Sequence, residues 1–180
     1  MRNKQRLGFY AKTSILIATL LLVVVSMASC NWLESFFKPK PNAGVKDIVL
    51  YIADAIPSDD DGDGYTSLSV NVATIGHSTE ALYLYSALVE LQDLERITFG
   101  GTSSSYGFYL DTFGGLTLGT GEFVYFYIRL QNDKFDKQLM DKDFTAPLSY
   151  NGKIFYAANY GVEYFALADG MEIIVTKIKY

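Results

Sequence analysis

The chain has 180 residues, 49% apolar and 19% charged, with a formal net charge of −5. The apolar content is too high for a disordered chain, and the acidity argues against nucleic acid as the main partner. A single Cys and a single His exclude an internal disulfide scaffold, a cysteine zinc cluster and any multi-histidine metal site.

Residues 1–12 hold Arg2, Lys4, Arg6 and Lys12 and no acid. An almost unbroken apolar run of 11 residues, 15–25, follows. A membrane-spanning helix needs ~20, so this length predicts the core of a signal peptide. Ser26, Met27, Ala28 and Ser29 then lead to the single cysteine, Cys30. This order of basic, apolar and small residues ending in Cys resembles bacterial lipoprotein precursors, whose lipobox is matched by Met27, Ala28, Ser29 and Cys30. The resemblance implies a signal peptide over 1–29, cleavage after Ser29, a diacylglycerol on the Cys30 thiol and anchoring to a membrane of the cell envelope. Asn31 stands in place of the Asp that favours inner-membrane retention, which implies the outer membrane where the organism has one. Each buried acyl methylene contributes ~0.8 kcal/mol, so two or three chains anchor stably. Without 1–29 the chain keeps 11 basic and 20 acidic residues, a net of −9. That sign argues against a second, electrostatic grip on anionic lipid.

Residues 30–46 read as a lipidated, flexible tether, since Pro39, Pro41 and Gly44 resist regular structure. Trp32, Phe36 and Phe37 suit either the membrane interface or packing on the domain.

Over 47–180 the dominant period is two. Ile48, Leu50 and Ile52 share one parity, as do Leu68, Val70 and Val72, then Val124, Phe126, Ile128 and Leu130, and finally Met171, Ile173 and Val175. Glycines punctuate these runs, and the pattern predicts strands over 47–54, 66–75, 82–91, 96–100, 106–111, 123–131, 153–158, 162–167 and 171–179. Many short strands with Gly-rich turns predict an all-β domain, an antiparallel β-sandwich of immunoglobulin-like or related Greek-key type. Segment 81–96 is two-sided. Leu82/Leu84 against Tyr83/Tyr85 alternate as a strand, the favoured reading. The spacing of Leu82, Tyr85, Leu88 and Val89 also fits a helix that Ser78, Thr79 and Glu80 could cap. Segment 132–144 reads as a polar connection or a single helical turn.

Three constellations could carry function. Asp59, Asp61 and Asp63 with Gly64 resemble the opening half of an EF-hand-type calcium loop, where alternate carboxylates converge on the ion. Val70 stands where that family places its bidentate acid, so Ca²⁺ here needs carboxylates from another loop, such as Asp133, Asp136, Asp141 or Asp143. The alternative is a solvated acidic turn. His77 is the one imidazole available to a Ser-His-Asp enzyme, yet no G-x-S-x-G element accompanies it. Tyr83, Tyr85, Tyr125 and Tyr127 offer amphipathic rings for an envelope or extracellular protein or glycan if their face is exposed, and are core if it is covered. The expected function is a lipid-anchored, non-catalytic binding, adhesion or scaffolding module with a calcium loop. The alternatives are a small carboxylate-based hydrolase and an envelope inhibitor or immunity-like protein.

Overall fold

Six consecutive residues of the last strand, 171–176, are buried on both faces. The reason is their place at the middle of a sheet. The structure is a computed structural model that describes residues 40–59, 62–104 and 107–179. The signal segment, Cys30 and Asp61 lie outside the described residues. The strands are β1 (Lys46–Ile52), β2 (Thr66–Ser67), β3 (Ala73–Thr79), β4 (Phe99–Ser104), β5 (Gly107–Phe113), β6 (Glu122–Arg129), β7 (Met140–Asp141), β8 (Leu148–Tyr150), β9 (Lys153–Ala158) and β10 (Met171–Lys179), with one helix, α1 (Leu84–Asp93), between β3 and β4. The main sheet has eight strands in the order β2-β8-β9-β6-β10-β1-β3, with β7 added beside β9, while β4 and β5 form a separate hairpin.

The β-rich expectation holds at this level, with corrections. The sheet is mixed: β1 runs parallel to β10 and β2 parallel to β8. An immunoglobulin-like sandwich of two antiparallel sheets is not seen, because a helix and a hairpin, not a second sheet, complete the larger core. Leu84, Ala87, Leu88 and Leu91 of α1 pack with Ile48, Leu50, Ile173, Val175, Phe126 and Ile128. A smaller core on the other face joins Tyr127, Leu148, Phe155 and Ile174 with Tyr51, Tyr125 and Tyr150.

Segment 81–96 is helical, not a strand. Leu84, Ala87, Leu88 and Leu91, all fully buried, have the i, i+3, i+4, i+7 spacing of one helical stripe. That stripe outweighs the short alternation at 82–85. The helix starts at Leu84, beyond the Ser78–Glu80 segment, and its N-cap Tyr83 makes no side-chain capping bond. Its first N–H groups donate to distant carbonyls instead: Leu84 to Phe165 at 2.9 Å and Tyr85 to Val162 at 3.0 Å. The predicted strand at 162–167 is therefore a connector that caps the helix and makes a single isolated bridge, Ala166 with Tyr83, outside the named strands. At the other end Arg96 N–H reaches Leu91 O and Glu95 N–H reaches Gln92 O, a Schellman closure that holds Glu95 at φ 56°. The run 66–75 likewise divides, giving β2, a turn through Leu68 and Val70, and the start of β3.

Candidate ligand-binding groove

The site is built on the change of partners along β6. On one side β6 pairs with β10 along its whole length, from Glu172↔Arg129 to Lys179↔Glu122. On the other side β9 pairs with Tyr127 and Ile128 alone. Ala53 N–H donates to Val175 O, so the odd-numbered residues of β10 direct their main chain to β1 and the even-numbered ones to β6. Antiparallel pairing then turns Phe123, Tyr125 and Tyr127 toward β10, and Val124 and Phe126 toward the opposite edge. No described strand pairs with that edge at 122–126.

A cavity of about 500 Å³ lies along this edge, lined by β5 at 108–110, β6 at 123–126, Asp141, Phe144 and residues 158–162. It straddles the sheet. Phe108, Leu110 and Val124 belong to the helix-side core, whereas Tyr125 belongs to the opposite one and stacks on Phe144 with centroids 5.5 Å apart and planes 22° from parallel. Large apolar rings stay open to solvent around it: Tyr109 is 54% exposed, Phe123 51% and Phe144 47%. Among the described residues, Asp141 is the one formally charged lining residue. Its Oδ1 accepts the N–H groups of Asp143 at 2.7 Å and Phe144 at 3.1 Å, which fixes the turn presenting the Phe144 ring. On the β5 side, Gly101 lets the hairpin close: a Cβ there would lie 1.9 Å from Tyr109 O.

The far end of β6 is polar and extensively hydrogen-bonded. Glu172 accepts hydrogen bonds from Lys153 Nζ at 2.7 and 3.0 Å, from Tyr51 Oη at 2.9 Å and from Arg129. Arg129 Nε also donates to Asp133 at 2.5 Å. Burial pushes the Glu172 carboxyl up, but hydrogen bonds from Lys153 and Tyr51 and the charges of Lys153 and Arg129 outweigh it and leave it below the usual range. Burial, together with the Glu172 hydrogen bond and charge, pushes the Tyr51 phenol up to about 12. These bonds link β1, β6, β9 and β10 through one carboxylate, and a smaller cavity of about 250 Å³ lined by Arg129, Asp133, Lys134 and Lys153 opens beside them.

The sequence-predicted residues distribute as follows. Asp59 Oδ1 accepts Gly62 N–H at 2.8 Å and Asp63 Oδ1 accepts Tyr65 N–H at 2.9 Å, both turn-forming bonds. Among the described residues no group of three or more His, Cys, Asp or Glu could hold a metal ion, while calcium takes six to eight oxygens. The described residues thus show the carboxylates in their turn role. His77 lies on β3 with Nε2 3.0 Å from Glu90 Oε2 of α1 and a side chain 8% exposed; it ties helix to sheet edge. The four tyrosines do not share a face. Tyr83 and Tyr85 pack against the helix-side core, with Tyr85 edge-on to Phe99 at 5.9 Å. Tyr127 is 1% exposed, and Tyr125 alone lines the groove. Phe123 and Phe144 also line the groove, and the sequence does not single them out, although the apolar character of both parities in 123–128 marks a strand whose two faces are both in use.

No protein-family model matches the chain, and no curated protein matches it significantly. Among solved structures, the chain is similar to a candidate metal-binding protein from Ruminococcus gnavus, with 14% identity and a TM-score of 0.45 over 75% of this chain and 98% of that one.

Proposed function

We propose that the protein is a lipid-anchored, non-catalytic binding module of the bacterial cell envelope, held by Cys30 and taking its ligand in the β6 groove. The observation that carries this reading is the ring of exposed Tyr109, Phe123 and Phe144 around a cavity of about 500 Å³, within the size range of ligand sites and apolar like them. The hydrolase alternative needs two converging acids, and among the described residues the groove wall holds one, Asp141, whose Oδ1 accepts two turn N–H groups. An inhibitor or immunity-like role is the same reading with a protein as ligand. A photo-crosslinking residue at position 123, in the full chain in cells, should give an adduct that the same residue at exposed Glu80 does not; equal adducts, or none, contradict the reading. Cys30→Ala should release the protein from detergent-phase partitioning. Calcium on the 59–63 turn would add stability: a melting rise at millimolar Ca²⁺ supports it, and an unchanged melt leaves the carboxylates as turn acceptors.

A further inference from the structure

The β6 edge narrows what the groove can hold. Resting on the binding-module reading, we propose that the occupant is an extended polypeptide segment that adds as a strand to β6, hydrogen-bonding the main chain of Val124 and Phe126. The pairing partner β9 leaves β6 after the Tyr127–Ala157 pair, whose antiparallel geometry sets Phe126 C=O against Ala158 N–H. Three main-chain groups therefore line the groove: the N–H and C=O of Val124 and the N–H of Phe126. Unpaired edges are templates for another strand and are normally blunted or covered. This one is instead walled by β5 on one side and by the Phe144 turn on the other, which admits a single strand and excludes a second sheet.

The walls also specify the segment. Successive side chains of an added strand point to opposite faces. One set would meet Phe108, Leu110 and Val162, the other Phe123, Tyr125 and Phe144, all lining the cavity. A strand covered on both faces is a continuous apolar run, not an alternating one. The open stretch, 122–126, takes about five residues, on the order of 17 Å of strand. Charge complementarity sets the flanks. The one charged lining group is Asp141, Glu163 Oε2 accepts Phe108 N–H at 3.1 Å at the β5 end, and no Lys, Arg or His lines the cavity among the described residues. The partner is therefore a peptide of about five apolar residues with basic flanks, bound by strand addition.

The test uses the full-length chain in nanodiscs and fluorescent peptides with five valine and phenylalanine residues between lysines, read by anisotropy. Blocking one peptide edge by N-methylation should leave binding within threefold, because the other edge turns to β6. Blocking both edges should weaken it at least tenfold, as should Val124→Pro, with Val124→Ala within threefold of the parent. Proline at 124 removes an N–H that faces away from β10, so the β6–β10 ladder is kept. The methylation series needs no variant protein and decides the question even if Val124→Pro fails to fold. Equal binding of the doubly blocked peptide overturns strand addition while the groove stands. Binding of none of the peptides also overturns it, and the crosslink from position 123, to a glycan or another molecule, then decides the groove separately.

Discussion

β6 is two strands in one. Its C-terminal part, around Tyr127 and Ile128, has main-chain partners on both sides, a fully buried ring and a set of ion pairs at Arg129 and Glu172. Its N-terminal part has the same apolar sequence character but one neighbour, β10, and exposes Phe123. The same strand thus has a half that is paired on both edges and a half that is paired on one. One half of the strand has its polar groups paired, whereas the other leaves main chain open beside exposed rings, where the proposed ligand would dock.

The largest break in this comparison is Glu172→Gln, which strips the central carboxylate from Arg129 and Lys153. Leaving two cations beside a neutral amide should cost ~2–3 kcal/mol in denaturant unfolding, discounted because Lys153 is partly exposed, with groove binding unchanged in the folded fraction. Alkali attacks the same end. Tyr51, raised to about 12, keeps its proton in the folded state longer than in the unfolded state. Its contribution is complete below about pH 10 and fades as pH rises through its folded value; Tyr51→Phe should flatten that part of the stability profile. Acid acts with the opposite sign. Glu172 titrates below its ordinary range in the folded state, so its contribution is present above the unfolded carboxylate value near 4.3 and is lost as pH falls through the folded one. Glu172→Gln should remove this part of the acid slope.

Smaller changes sharpen the contrast. Glu95→Gly relieves the left-handed φ of 56° at the helix end and should raise stability by ~0.5–1 kcal/mol, leaving both halves of β6 as they are. Phe123→Ala, at a ring half open to solvent, should shift unfolding least, by ~0.5 kcal/mol, yet reduce binding of the lysine-flanked peptide severalfold.

The sequence carried the period-two runs of β1, β6 and β10 clearly, because each buries one or both faces against a core. Segment 81–96 was harder. Tyr83 and Tyr85 flank Leu84 with strand-like alternation, and the helix lacks a side-chain cap, since its first N–H groups are satisfied by Val162 and Phe165 from a segment almost 80 residues away. The same long-range contacts explain why 162–167, apolar enough for a strand, became a connector. Parallel pairing of β1 with β10 is likewise a long-range choice with no local trace. Of the site, Tyr125 was legible as an aromatic on an alternating strand. Phe144 was not, since it sits in a polar connection and reaches the groove only through the Asp141 turn. The open edge at Val124 and Phe126 had no signal at all, because it depends on where β9 stops.

Amide hydrogen exchange along β6 tests the central claim most directly. The account predicts alternation in the ligand-free protein: slow exchange at Tyr125, Tyr127 and Ile128, fast exchange at Val124 and Phe126, and slowing of those two when the lysine-flanked peptide is added. Equal protection of Val124, Tyr125 and Phe126 without ligand would contradict it, since the edge would then be closed by the protein's own chain.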